Sequence, residues 1–387
     1  MRTVGIAGIG AHPFGKHRDR SIKSLAQVAV DAALADAGVA APGIQAAYAA
    51  NAVAGLVTGQ ETVRGQVVLR AMGLGGIPVV NVENACAGAS SALQQGWLAV
   101  AAGLYDCVLV VGFEKMTHPD RAVTFRAIAS GLDVEAEAER ARRDEAPAHS
   151  VFMETYATKA RWLMERFGVE ARDFAWIAAK NHVHAVASPI AQYRFAMTPD
   201  EVLADRMVVD PLTRAMCSPI GDGAAAVVLT ADPTPRVRIA GFGMATAAAE
   251  GQRLDPVIRR AADAAWQMAG IGPEDVDVAE VHDATASAEL QAYDELSLAP
   301  DGDVRALVRT EATQLGGRIP VNTGGGLECR GHPVGATGLA QVVELTAQLR
   351  GTAGERQVEG ARVAVAQNAG GHLGEENAVS VVTVLTR

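Results

Sequence analysis

Apolar positions in this chain come in short continuous runs rather than in strict alternation. Val4–Gly10 (VGIAGIG), Asp106–Gly112 (DCVLVVG), Val237–Gly243 (VRIAGFG) and Arg362–Gly370 (RVAVAQNAG) are of this kind. A strand apolar on both faces is covered on both faces, so these runs predict largely parallel sheets clad in helices. Between them lie amphipathic and Gly/Ala-rich segments with helical periodicity. The order strand, amphipathic helix, strand, Gly/Ala-rich helix, strand appears twice, which is an α/β pattern.

The two passes resemble each other. VGIAGIG matches VRIAGFG, and Asp31–Val39 (DAALADAGV) matches Asp263–Ile271 (DAAWQMAGI) at nearly the same offset, with Pro42 and Pro273 following. Ile77-Pro78-Val79 recurs as Ile319-Pro320-Val321, and both halves close on a buried-strand run. Several matches in one order indicate an internal duplication. The expected division is a first half made of residues 1–118 and 211–232, an inserted loop domain over 119–210, and a second half over 236–387. Pro233 and Pro235 mark the seam. The insertion carries a charged helix (Val134–Glu145) and an aromatic-bearing one (Val151–Phe167), and long insertions of this kind commonly build binding surfaces.

Of 387 residues, 49% are apolar and 20% charged, and the formal net charge is −10. An acidic chain is a poor partner for nucleic acid or an anionic membrane, although a local basic patch can still hold a phosphorylated small molecule. Leu98–Phe113 is interrupted by Tyr105 and Asp106 and is too short to span a bilayer. Neither end of the sequence reads as a secretory or peroxisomal address. Cys86, Cys107, Cys217 and Cys329 are too scattered for a zinc site or a disulfide framework, so no metal is expected. A soluble protein of a reducing cytoplasm is the expectation.

The chemistry gathers at equivalent places in the two halves. Cys86 follows the apolar Ile77–Val82 and precedes small residues that open a helix. A thiol at such a junction faces free N–H groups and the positive end of the helix dipole, which favour thiolate. In register with it, the second half reads His332-Pro333-Val334-Gly335-Ala336-Thr337-Gly338, so an imidazole is the counterpart of the thiol. Two halves related by an approximate twofold aim both helix N-termini at one cleft, the arrangement of an activated nucleophile. Gly324–Gly326 has an alternative as a phosphate cradle but lacks the lysine and spacing of a Walker loop. His282 sits at a second strand end, with a predicted helix Ser287–Leu296 after it. Asn368-Ala369-Gly370-Gly371-His372 closes the last strand run, where consecutive N–H groups can bind an oxyanion.

Together these segments resemble the thiolase superfamily, most closely its sterol-carrier-protein-type branch. The resemblance rests on Asn84-Ala85-Cys86-Ala87-Gly88, Met216–Ala224, Val281-His282-Asp283, and Asn322–Gly326 leading into Gly331–Gly338, and it covers essentially the whole chain. It implies a five-layered αβαβα fold of two βαβαβαββ halves with a loop domain over the active site. It further implies that Cys86 takes an acyl group from a 3-oxoacyl-CoA or acyl-CoA, with coenzyme A as substrate and no resident cofactor. His332 would deprotonate Cys86 or, with His282, stabilise an enolate. The N–H groups of Cys86 and Gly370, beside Asn368, would form the other oxyanion hole. A histidine titrating near pH 6.5 suits that proton traffic.

One family feature is missing. The second, acid/base cysteine is replaced by Asn368 in the late loop and by Ala284 after His-Asp. Cys329 and His372 are the candidate stand-ins, and the small Ala284 and Ala369 leave room for a bulky, branched or aromatic acyl group. The resemblance implies at least a homodimer and a separate small partner with an OB-fold and zinc ribbon. Arg121, Arg126 and Lys159 are candidate CoA contacts. Two alternatives stand beside CoA-dependent acyl transfer: a ketosynthase-like condensing enzyme using Cys86 with His282 and His332, and a lyase or carrier subunit that does not acylate Cys86.

Overall fold

The computed structural model describes residues 1–143, 150–374 and 376–387. Its strands are β1 (Gly5–Ala11), β2 (Ala46–Ala50), β3 (Val79–Val82), β4 (Cys107–Glu114), β5 (Met207–Val209), β6 (Leu212–Thr213), β7 (Gly223–Thr230), β8 (Arg238–Thr246), β9 (Val278–Glu280), β10 (Val363–Leu373) and β11 (Glu376–Thr386). Nine of them form one sheet in the order β3-β2-β4-β7-β1-β8-β11-β10-β9, while β5 and β6 make a separate ribbon.

The order is nearly symmetric about the β1–β8 junction, where Gly5 pairs with Arg238. The missing tenth strand is reduced to one parallel bridge, Ala279↔Val321. Its counterpart in the first half is the parallel pairing Ala47↔Val79. The repeated Ile-Pro-Val therefore occupies one structural position twice. The sheet is mixed rather than largely parallel, since β7 and β11 run antiparallel to their neighbours. Cover on both faces, not strand direction, made the apolar runs continuous.

That cover gives five layers. From β4, Leu109, Val111 and Phe113 face an outer helix, Ile22–Ala37, through Leu25, Ala29 and Val30. The alternate residues Val108 and Val110 face inward to Leu93 and Trp97 of the Gly88–Ala101 helix. Leu339, Leu345 and Leu349 of the Thr337–Arg350 helix share that same central core, together with Ala364, Ala366 and Val381 of the second half. Beyond them, Val365, Val382 and Val384 face the other outer helix, Val257–Ala269.

The duplicated motifs have a packing reason. A Cβ on Gly8 or Gly10 would lie 2.1 or 2.2 Å from the carbonyl oxygens of Ala33 and Ala29. On the equivalent Gly241 and Gly243 it would lie 2.4 and 1.7 Å from those of Ala265 and Ala261. Each glycine pair lets its outer helix rest its backbone on the strand, and each small-residue helix supplies the matching surface.

Between β4 and β7 the chain forms helices Arg121–Ala129, Val134–Arg142, Val151–Phe167, Ala171–Ala185 and Pro199–Ala204. The charged helix was expected to reach Glu145; it is observed to Arg142, and residues 144–149 lie outside the described part. Val151–Phe167 appears where expected, buries Ala157, Ala160 and Leu163, and leaves Phe152, Met153 and Tyr156 for the cleft. The helix after His282 spans Ala286–Glu295, within a residue of expectation. No helix among the described residues is long and apolar enough to cross a membrane.

Candidate active site

Cys86 lies in a single helical turn, Ala85–Ala87, between β3 and the first central helix. Ala85 has φ +46°, so the chain turns sharply to present the next side chain. A Cβ on Gly370 would lie 2.3 Å from Asn84 O and 3.0 Å from Cys86 N. Only glycine lets β10 come so close beneath the cysteine loop. The two central helices meet at their N-termini, where a Cβ on Gly338 would lie 2.0 Å from Ser90 Oγ. This contact carries the duplicated frame into a single cleft. One ligating atom each from Cys86, His282 and His332 lies within 4.8 Å of the others.

Both imidazoles are oriented. Thr337 Oγ1 lies 2.8 Å from His332 Nδ1 and donates its own proton to Pro333 O at 3.2 Å. It therefore accepts from Nδ1–H, which leaves the His332 Nε2 lone pair free. Asn368 Nδ2 donates to His282 Nδ1 at 3.0 Å, so His282 carries its proton on Nε2 as a donor. The rings cross edge to face, 5.0 Å apart at 80°. The first is poised to take a proton and the second to hold a developing oxyanion.

Burial overrides the dipole. It pushes the Cys86 thiol up to about 12, against the opposing pull of the backbone N–H groups of Gly371 and of Cys86 itself. It lowers His332 to about 3, with the Arg330 charge adding to the effect. His282 is also held well below the usual imidazole range, by burial and then by His332 and His372. The resting site is thus a neutral thiol beside a neutral imidazole, correcting both the expected thiolate and the expected titration near pH 6.5. A helix terminus contributes about 1 kcal/mol and cannot offset an apolar wall. Alkylation of Cys86 by iodoacetamide should consequently rise about tenfold per pH unit from 7 to 10 with no plateau. Rates by intact mass that level off near neutrality would show an ionised thiol instead.

The cysteine opens on a cavity of about 610 Å³ whose walls include Val53, Leu56, Met116, Phe125, Ile128 and Phe152. A second cavity of about 500 Å³ is more polar and includes Arg140, Glu154, Lys159 and Trp162. His282, His372, Ala369 and Tyr156 line both. Ala284 lines the first, so the two small residues do leave space beside the site.

Other expected residues separate here. Cys329 is fully buried against Ala185, Ala191 and Tyr193 and lines neither cavity, so it is no stand-in acid/base. Cys217 lines the first cavity instead and donates to Thr213 O at 3.3 Å. Asn368 acts through its side chain, on His282. Gly370 packs directly beneath the cysteine loop, and the neighbouring Gly371 N–H pulls the thiol value down. Of the candidate CoA contacts only Lys159 reaches a cavity, while Arg121 stacks on Phe125. The Gly324–Gly326 loop is no phosphate cradle. A Cβ on Gly326 would lie 2.0 Å from Asp283 Oδ2, and Gly324 lies against Glu344 and Arg330, so the loop is packed against carboxylates.

Sequence alone did not point to Glu114, at the end of β4. Its Oε1 accepts from Asn51 Nδ2 (2.9 Å), Val53 N (3.2 Å) and Ala54 N (2.7 Å), and its Oε2 from Ala52 N (3.0 Å) and Gly335 N (2.9 Å). It thereby ties the first half to the loop that carries His332. Asp222 likewise gathers Met116 N, Thr117 N, His17 N and Lys115 Nζ. An acidic residue at a strand end is the only signal either leaves in sequence.

Residues 4–232 match the family description "Thiolase, N-terminal domain", and residues 247–385 match "Thiolase C-terminal domain-like". The chain belongs to the thiolase family. An acetyl-CoA acetyltransferase of Methanothermobacter thermautotrophicus is 37% identical to this thiolase over 383 residues, covering 96% of this chain and 97% of that protein. A benzoylsuccinyl-CoA thiolase subunit, BbsB, of Thauera aromatica is 32% identical over 386 residues, covering 96% and 95%. Among solved structures, the Ltp2–ChsH2(DUF35) aldolase superposes with a TM-score of 0.80 at 23% identity, over 98% of this chain and 97% of that one, which bears on the fold alone. The thiolase is an acyltransferase-type enzyme.

Proposed function

We propose that the protein cleaves 3-oxoacyl-CoA with CoA, or runs the reverse condensation, through an acyl-Cys86 intermediate. The observation carrying this is the grouping of Cys86, His282 and His332 within 4.8 Å beside an apolar cavity. In thiolysis the sulfur attacks the 3-oxo carbon while its proton passes to His332 Nε2. The C2–C3 bond then breaks and the departing thioester leaves as an enolate, its oxygen facing His282 Nε2–H. Protonation at C2 completes the first half. CoA then displaces the acyl group from Cys86.

A bulky acyl group, branched or aromatic, fits the 610 Å³ cavity and the gaps at Ala284 and Ala369. The name of the Thauera relative, with its aromatic substrate, supports this class. Intact-mass measurement after incubation with a panel of acyl-CoAs should show one acyl adduct, lost in Cys86→Ala. The bulky donors should exceed acetoacetyl-CoA in kcat/KM. A clear preference for acetoacetyl-CoA would overturn the substrate class, and no adduct with any donor would overturn acyl transfer.

One observation favours a second class. Asn368 and Ala284 leave no cysteine at either expected acid/base position, and a solved structure of the same fold is an aldolase. A carbon–carbon lyase that does not use the thiol would keep its activity in Cys86→Ala. We also propose a homodimer and a separate partner chain, the latter supported by the two-protein title of that aldolase. Light scattering and co-purification read both.

A further inference from the structure

The thiolase chemistry proposed above moves two kinds of proton, and the site described so far handles only one. His332 Nε2 serves the Cys86 thiol. His282 cannot accept a proton, because Nδ1 is occupied by the Asn368 amide and Nε2 carries its hydrogen. Yet condensation must remove a proton from the α-carbon of the second acyl-CoA, and thiolysis must return one to it. Asn368 and Ala284 do not titrate at these positions.

We propose that His372 Nε2 is the acid/base for the substrate α-carbon. This rests on the acyl-transfer chemistry above and adds the group that completes it. His372 Nδ1 lies 3.1 Å from Glu376 O, a carbonyl that only accepts, so the ring proton is on Nδ1 and Nε2 bears a lone pair. That Nε2 is shielded from solvent yet has no hydrogen-bond partner among the described residues. An unpaired buried acceptor is costly and calls for a use. The residue lines both cavities beside His282, and Cys86 lines the first of them.

The ring is fixed for the task. It meets Tyr156 edge-on at 5.6 Å and 87°, and Phe152 at 5.9 Å and 64°. Its backbone N–H is anchored on Gly131 O at 3.1 Å, and the preceding Gly371 takes φ +61° within β10. The charged and titratable groups around it are Lys159 and Tyr156 on the Val151–Phe167 helix, His282 after β9 and Glu376 on β11. Burial, and then the Lys159 charge, hold His372 below the usual imidazole value, so it rests as the neutral base.

The protons balance in the condensation direction. The α-C–H pair of electrons becomes the enolate as the proton moves to Nε2. The enolate carbon forms a C–C bond to the acyl carbon, and the C–S bond to Cys86 breaks. The proton on His372 returns through the site to the released thiolate. In the preceding acylation the Cys86 sulfur displaces CoA from the first acyl-CoA, and its proton passes by way of His332 to the CoA thiolate. The sum is two acyl-CoA giving one 3-oxoacyl-CoA and free CoA, with no oxidant or reductant.

The test is deuterium exchange into the α-position of acetyl-CoA in D₂O, read by mass spectrometry, alongside intact-mass acylation of Cys86. Cys86→Ala should lose the acyl adduct, which identifies the acylated sulfur in the same experiment. His372→Gln should lose at least about 10²-fold in exchange while Cys86 is still acylated. His372→Cys should regain exchange with a rate that climbs into alkaline pH as the new thiol ionises. The wild-type profile needs no variant: exchange should reach its plateau below pH 6.5. Exchange unchanged in His372→Gln, or a wild-type rate still rising above pH 8, would overturn the assignment. Absence of an acyl adduct in the wild-type protein would instead defeat the acyl-transfer proposal, whatever the exchange shows.

Discussion

Cys86→Ala is expected to lower thiolytic kcat/KM by on the order of 10⁵-fold or more, with the thermal transition nearly unchanged. The sulfur forms the covalent bond, and no other thiol can replace it: Cys329 is sealed in its own apolar cluster and Cys217 donates to Thr213 O. His332→Ala should cost nearly as much, because the two act as one unit. In the free enzyme burial holds the thiol up near 12 and the imidazole down near 3, so passing a bare proton between them is uphill. The proton therefore has to move as the carbon–sulfur bond forms, and an isolated thiol in this pocket gains almost nothing from being intact. The double variant should be no slower than the worse single one. Single-turnover acylation of the four proteins checks this, and additive losses would separate the two roles.

Glu114→Gln is expected to cost roughly 4 kcal/mol of stability and most of the activity. Burial pushes this carboxyl up to about 7 even though the N–H groups of Ala52, Gly335 and Ala54 and the Arg64 charge pull it down. Five N–H donors converge on its two oxygens, and among the described residues no acceptor stands by for a proton. Those donors hold the carboxylate. A carboxamide turns its own N–H₂ against some of them and leaves buried donors unpaired. Because one of them is Gly335 N–H, three residues after His332, the loss reaches the base as well as the fold. Denaturation midpoints and the kcat of the variant should fall together. A stable variant with normal kcat would show that the carboxylate charge does not matter there.

How far the chain could be read before its coordinates follows from what each signal depends on. The repeat was legible because Gly8, Gly10, Gly241 and Gly243 and their alanine partners meet a steric demand set within each half. The pairing of Cys86 with His332 was legible because duplication puts equivalent residues at equivalent helix starts. Protonation states were not, since they depend on walls built by Phe152, Tyr156 and Met153 from a distant segment. Nor was the separation of Cys329 from the cleft. It lies three residues before His332 in sequence, but the helix Gly326–Arg330 turns its sulfur toward Ala185. Glu114 and Asp222 were hidden for a related reason, as most of the partners named above are backbone groups without a residue signature.

The single core shared by the helices Gly88–Ala101 and Thr337–Arg350 bears on ancestry. A lone half would leave its inner helix naked to water on one side, so a primordial chain of half this length had to associate with its twin to persist. The reactive crevice would then have begun as a seam between identical molecules carrying the same side chain on either bank. Joining them end to end freed one bank to exchange sulfur for nitrogen.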